Sequence, residues 1–167
     1  MDRLLKWLEI PIHALMWIGI LAGALMMLHT SVDVTGRTVF NHPLPGTTEI
    51  VSAYYMVAAA YLPWAWIARH SGQIEVELFA RLMPHSVRAV LDPLVDLLTI
   101  VYVSVFAWQT YLRAVQQTTL GEVWQAGNFY LPVWPSRWML PIAGGLMVLY
   151  MVLKLVRDLT HGRGAAA

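Results

Sequence analysis

Cysteine is absent from the 167 residues, which excludes disulfides, thiolate nucleophiles and Cys-ligated metal centres. Charge is scarce as well: Asp, Glu, Lys and Arg together make up 13% of the chain, and the formal net charge is +1. A balance so near zero leaves neither a basic footprint for nucleic acid nor a field for an acidic partner, so no nucleic-acid partner is expected. No internal repeat is evident, which removes solenoids and propellers. What fills the chain instead is apolar: 58% of residues are hydrophobic and the mean hydropathy is +0.56. A soluble domain of this size needs far more polar surface.

The apolar residues fall into four long stretches, roughly 10–32, 50–67, 94–112 and 138–156. At about 1.5 Å rise per residue, each is long enough to cross a hydrocarbon core of about 30 Å. The expected architecture is an all-α integral membrane protein, one four-helix domain over residues 1–167. Arg3 and Lys6 before an apolar run, with small residues at Ala22 and Ala24, resemble a signal peptide. The run continues past the small residues and is too long for a signal h-region, so a retained first helix is expected.

Lys and Arg distribute unevenly over the connections. Arg3 and Lys6, then Arg69, Arg81 and Arg88, then Lys154, Arg157 and Arg163 fall on one side, against Arg37, Arg113 and Arg137 on the other. The positive-inside rule places both termini and the middle connection in the cytoplasm. Trp64, Trp66, Trp108, Trp134 and Trp138 stand near span ends, where an indole buries its ring and keeps its N–H wet.

Lipid gives helices no hydrophobic reason to associate, so close backbone approach at small residues must do so. Gly19 and Gly23 share one helical face, and Gly144, Gly145 and Ala58 to Ala60 offer similar surfaces. Pro63 and Pro141 are expected to bend or begin their helices. Between the second and third spans, residues 72–91 place Ile74, Leu78 and Leu82 at helical spacing. That pattern predicts a short amphipathic helix, lying in the interface or with its apolar face on the bundle.

Ionisable residues keep to the span ends. Six histidines invite a haem or metal site, but only His13 and His29 lie in a span, near opposite ends of the first. Asp92 and Asp96 are one helical turn apart; they suit a divalent cation or, at the start of the third span, the positive end of the helix dipole. Glu49 holds the same kind of place at the start of the second span, with Thr47 or Thr48 as cap. Asp33 and Arg37 pair if the first helix extends that far. Asn41 is suited to hydrogen-bond its own backbone. With no charge at mid-membrane, the chain lacks what an ion path or substrate site requires.

The segment from Arg37 through Phe40, Asn41, Pro43 and Pro45 to Glu49 resembles the signature of the small membrane subunit, the Q subunit, of tripartite ATP-independent periplasmic (TRAP) transporters. Arg69-His70-Ser71-Gly72-Gln73-Ile74-Glu75-Val76-Glu77 is similar to a second family element, and the stretch from Pro132 to Gly144 to the family's entry into its last helix. Gly46 stands where the family often has Trp, Glu49 is a single acid where many members have two, and Gln73 and Glu77 replace the usual His and Asp.

The resemblance implies a static scaffold in the bacterial inner membrane, beside a larger multi-span subunit that moves as an elevator. That subunit would bind sodium and substrate, leaving this chain without a cofactor of its own. A soluble periplasmic binding protein would deliver an organic acid. Arg37, Phe40, Asn41, Pro43, Pro45 and Glu49 then become candidates for partner contact. The competing class is a membrane anchor of a respiratory complex, binding quinone or haem among aromatics and His29. A membrane enzyme has no visible nucleophile, metal constellation or carboxylate dyad at suitable depth.

Overall fold

Among the described residues, four helices are long and apolar enough to cross a membrane: Lys6–Val39, Thr47–Arg69, Pro93–Leu120 and Trp134–Arg157. The structure, a computed structural model, describes residues 2–70 and 85–161. The interfacial helix expected at 72–91 lies outside the described residues as far as 84, and 85–91 belong to the third long helix.

Helix α1 (Asp2–Val39) is far longer than a bilayer requires. In its polar C-terminal part Thr30, Ser31, Thr35 and Thr38 donate their hydroxyls to the carbonyls four residues back, so these side chains are satisfied within the helix and do not end it. The second span is built from pieces: α2 (Thr47–Ile50), a π-helical turn (Val51–Tyr55), α3 (Met56–Tyr61) and α4 (Trp64–Arg69). Pro63 causes the break before α4, since it has no N–H to continue the ladder; Leu62 N–H to Ala58 O at 3.1 Å and Ile67 N–H to Pro63 O at 3.0 Å carry the backbone across.

Helix α5 (His85–Leu120) tolerates Pro93 inside it. It therefore begins well before Asp92 and Asp96, which sit beyond the first turn where a helix dipole acts; the expected dipole role for that pair is corrected. A hairpin not expected from the sequence follows, β1 (Val123–Ala126) against β2 (Phe129–Pro132), antiparallel with Val123 opposite Pro132 and Ala126 opposite Phe129. Gly127 at its tip has φ 62°, the positive value a type II′ turn needs at its first central residue. A short helix α6 (Trp134–Arg137) leads into α7 (Met139–His161), where Pro141 sits in the opening turn that tolerates it.

Alanines and larger aliphatic residues share the core. Ala22, Ala58, Leu62 and Ala143 make one buried cluster; Ile12, Ala65, Ala68, Ile100, Val103, Met147 and Met151 make another nearer the termini. A Cβ added at Gly19 would stand 3.0 Å from Pro63 Cγ and 3.3 Å from Ala58 O, so the bare backbone of α1 seats the break in the second span. At Gly144 it would meet Ala107 Cβ at 3.2 Å, and at Gly23 Ala59 Cβ at 3.9 Å; at Gly145 nothing lies within 4 Å. Near the termini, Arg69 ties α4 to α1 through Glu9 at 2.7 Å and His13 Nε2 at 3.1 Å.

Candidate functional site

The turn from α1 into α2 carries the motif residues and is organised by one buried carboxylate. Asp33 is 5% exposed. Its Oδ2 accepts from Arg37 Nη2 at 3.0 Å and its Oδ1 from Leu44 N–H at 2.9 Å. Pro43 and Pro45 have no N–H, so Leu44 holds the single backbone donor of that tripeptide, and Asp33 takes it. The Arg37 side chain is 63% exposed, so the pair's buried half is the acid.

Backbone geometry closes the rest of the turn. Asn41 adopts φ 52°, a left-handed conformation that Asn tolerates after a helix end. The expected side-chain bond of Asn41 to its own backbone does not form; its contribution is the backbone angle. The amides of Phe40 and His42 both reach Gly36 O, at 3.1 and 3.0 Å. A Cβ at Gly36 would lie 2.9 Å from His42 O, so only glycine admits this fold-back. The expected side-chain cap at α2 is corrected too: Gly46, at φ 80°, occupies the cap position with no side-chain cap bond. Thr47 Oγ1 bonds Leu44 O at 3.3 Å and lies 3.4 Å from His29 Nε2. Glu49 lies in the first turn of α2, where a carboxylate complements the dipole.

The hairpin docks on this turn. A Cβ at Gly46 would meet Phe129 Cζ at 2.7 Å and Ala126 Cβ at 3.1 Å, so the Phe129 ring fills the space of a side chain at 46. Tyr54 OH donates to Pro132 O. Glu122 anchors the hairpin base: its carboxylate accepts from Arg137 Nη2 at 2.9 Å, Arg137 Nε at 3.1 Å and Trp124 Nε1 at 3.2 Å, while its carbonyl accepts from Val133 N–H at 2.9 Å. The Arg137 hydrogen bonds hold the Glu122 carboxyl below the ordinary range, against a smaller opposing effect of burial. Trp138 Nε1 donates to Thr118 Oγ1 at 3.0 Å, securing α7 to the end of α5.

Turn and hairpin thus form one ordered platform with apolar residues facing outward, Phe40 at 73%, Tyr130 at 71% and Leu44 at 38% exposure. Of the motif residues, Arg37, Phe40, Asn41, Pro43 and Pro45 are exposed and Glu49 is half-buried. The sequence reading missed the hairpin and the Glu122–Arg137 pair. Gly127-Asn128 between two short apolar segments was the available signal. Among the described residues no three His, Asp or Glu converge as a metal site.

No curated protein matches the chain. Residues 26–161 match the family described as tripartite ATP-independent periplasmic transporters, DctQ component, a stretch that takes in the last part of the first helix, the motif turn, the hairpin and the chain through the end of α7. The chain belongs to that family of small TRAP-transporter permease subunits, and is a membrane component of a transporter, not an enzyme.

Proposed function

We propose that this chain is the fixed subunit of a sodium-coupled TRAP system in the bacterial inner membrane, beside which a larger multi-span subunit moves an organic acid by an elevator motion. A periplasmic binding protein delivers that acid, and both termini lie in the cytoplasm. The observation that carries this reading is where apolar surface remains. Only 6% of the most apolar stretch of α5 and 17% of that of α1 is buried within the chain, so most of these helices is left for lipid and a partner. Charged side chains meanwhile stay out of the middle of the four spans, which supports a supporting role over an ion path. Sodium and substrate sites belong to the large subunit in this account.

The platform of turn and hairpin faces the periplasm, and Arg37, Phe40, Asn41, Pro43, Pro45 and Glu49 contribute contacts to the large subunit or the docked binding protein. Eight of the eleven Lys and Arg residues lie on the opposite side, the pattern of a cytoplasmic face. Because the chain has no cysteine, single cysteines report cleanly. At His42 and Asn128 they should react with an impermeant thiol reagent in intact cells, and at Ser86 and Gly164 only after permeabilisation. Labelling at Ser86 from outside would reverse the orientation. Loss of large-subunit co-purification in an Arg37→Ala, Glu49→Ala double variant would support the contact role, and wild-type recovery together with wild-type uptake would remove it.

A further inference from the structure

Beneath the hairpin, the second span, the end of α5 and the start of α7 leave a cavity of about 300 Å³. The π-helical turn contributes Ser52 and Ala53 to its wall; such turns widen a helix locally and recur at functional sites. Val57 and Leu140 make part of the wall apolar, while Arg113, Arg137 and Trp124 add polar groups to the lining.

The polar groups differ in what they have left to offer. Arg137 is committed to Glu122 by two hydrogen bonds. Ser52, Thr110 and Ser136 give their hydroxyl protons to backbone carbonyls. Arg113 donates only to the neutral Gln116 Oε1, at 3.2 Å, and has no carboxylate partner among the described residues. Tyr61 lines the same cavity, and its hydroxyl makes no hydrogen bond among the described residues. An unpaired guanidinium, an unused hydroxyl donor and apolar walls therefore meet at the edge of a membrane span.

Guanidinium forks match the oxygens of phosphate or carboxylate. At roughly 30 Å³ per water the cavity equals about ten waters, room for a phosphate and its glycerol carbons but not for two acyl chains. We infer that this cavity binds the headgroup of an anionic phospholipid, its phosphate held by Arg113 and an ester carbonyl by Tyr61, with the chains leaving between the helices. The lipid would fill a gap that the helices leave open and fasten the hairpin platform to the bilayer.

The test uses the delipidated full chain in detergent, carrying Ser52→Cys in the cysteine-free background, with alkylation rate as the readout. Phosphatidylglycerol should slow alkylation about tenfold or more, as expected of a charge-assisted hydrogen bond. Phosphatidylcholine and millimolar inorganic phosphate should leave the rate unchanged. Arg113→Gln should abolish the protection, and Lys6→Gln, at the other end of the bundle, should preserve it. Equal protection by inorganic phosphate would make this a free-anion site, and equal protection by phosphatidylcholine or in Arg113→Gln would remove the charge recognition; each overturns the inference. Native mass spectrometry of the unmodified chain gives a reading independent of any variant's folding: retained phosphatidylglycerol supports the site, and a lipid-free chain after mild detergent washing overturns it. Binding, not transport, is read, so failure here leaves the subunit's proposed role standing.

Discussion

Replacing Asp33 by Ala should loosen the motif turn while leaving the four helices intact. The substitution removes the acceptor for Leu44 N–H, a charge-assisted bond worth about 1.5 to 3 kcal/mol in a part-buried setting. It also frees Arg37, whose side chain is 63% exposed and rehydrates readily, so that half of the loss is under about 0.5 kcal/mol. A total near 2 kcal/mol corresponds to about a 30-fold rise in the opening of the Leu44 amide, at tenfold per 1.4 kcal/mol. Residue-resolved hydrogen exchange in detergent measures it directly. The Phe40 and His42 amides bond Gly36 O instead and serve as internal controls that should move less. Arg37→Ala should raise Leu44 exchange only about twofold, because Asp33 keeps its backbone partner. Unchanged Leu44 exchange in Asp33→Ala, or an Arg37→Ala effect as large as that of Asp33→Ala, would refute the reasoning that the buried acid organises the turn.

The glycines of the bundle should separate by the space around them. Gly19→Ala must displace Pro63 and should cost about 1 to 3 kcal/mol as overpacking, whereas Gly145→Ala, with nothing within 4 Å of the added Cβ, should melt as wild type does or slightly higher; equal melting of the two variants would contradict the packing scheme. Glu122 is held below its ordinary pKa by Arg137, so its contribution is fully present above about pH 4.3 and is lost as pH falls through the lower folded value. Thermal melts should therefore show Glu122→Gln less stable than wild type at neutral pH, by about 1 kcal/mol or less for a pair this exposed, with the gap closing in acid. A gap that widens as pH falls would reverse the sign and the assignment.

The spans were readable because a bilayer demands long uninterrupted apolar runs, and nothing else explains four of them in so short a chain. The ends were not. Polar Thr30, Ser31, Thr35 and Thr38 suggest a helix stop by composition, yet each side chain bonds back to its own helix and the helix runs to Val39. Pro93 likewise fails to mark the start of α5, which begins at His85. The pairing of Asp33 with Arg37 followed from spacing alone, but its larger role did not, since the bond to Leu44 spans eleven residues and depends on two prolines that leave one donor. Caps were misassigned at α2 because a left-handed Gly46 under the Phe129 ring takes the cap position with no side-chain bond, which leaves Thr47 and Thr48 inside the helix. The hairpin escaped because four-residue strands carry almost no alternation, and Glu122 meets Arg137 only once the strands have paired.

The measurement that bears most directly on the account is organic-acid uptake into proteoliposomes under a sodium gradient, with this chain alone, with its large subunit, and with the large subunit and binding protein together. With no charge in the middle of the four spans, this chain alone should give no uptake above empty liposomes. Uptake should require the large subunit, reach its full value with all three components, and fall when this chain is omitted. Sodium-dependent uptake by this chain alone, or full uptake in its absence, would contradict its role as the fixed subunit.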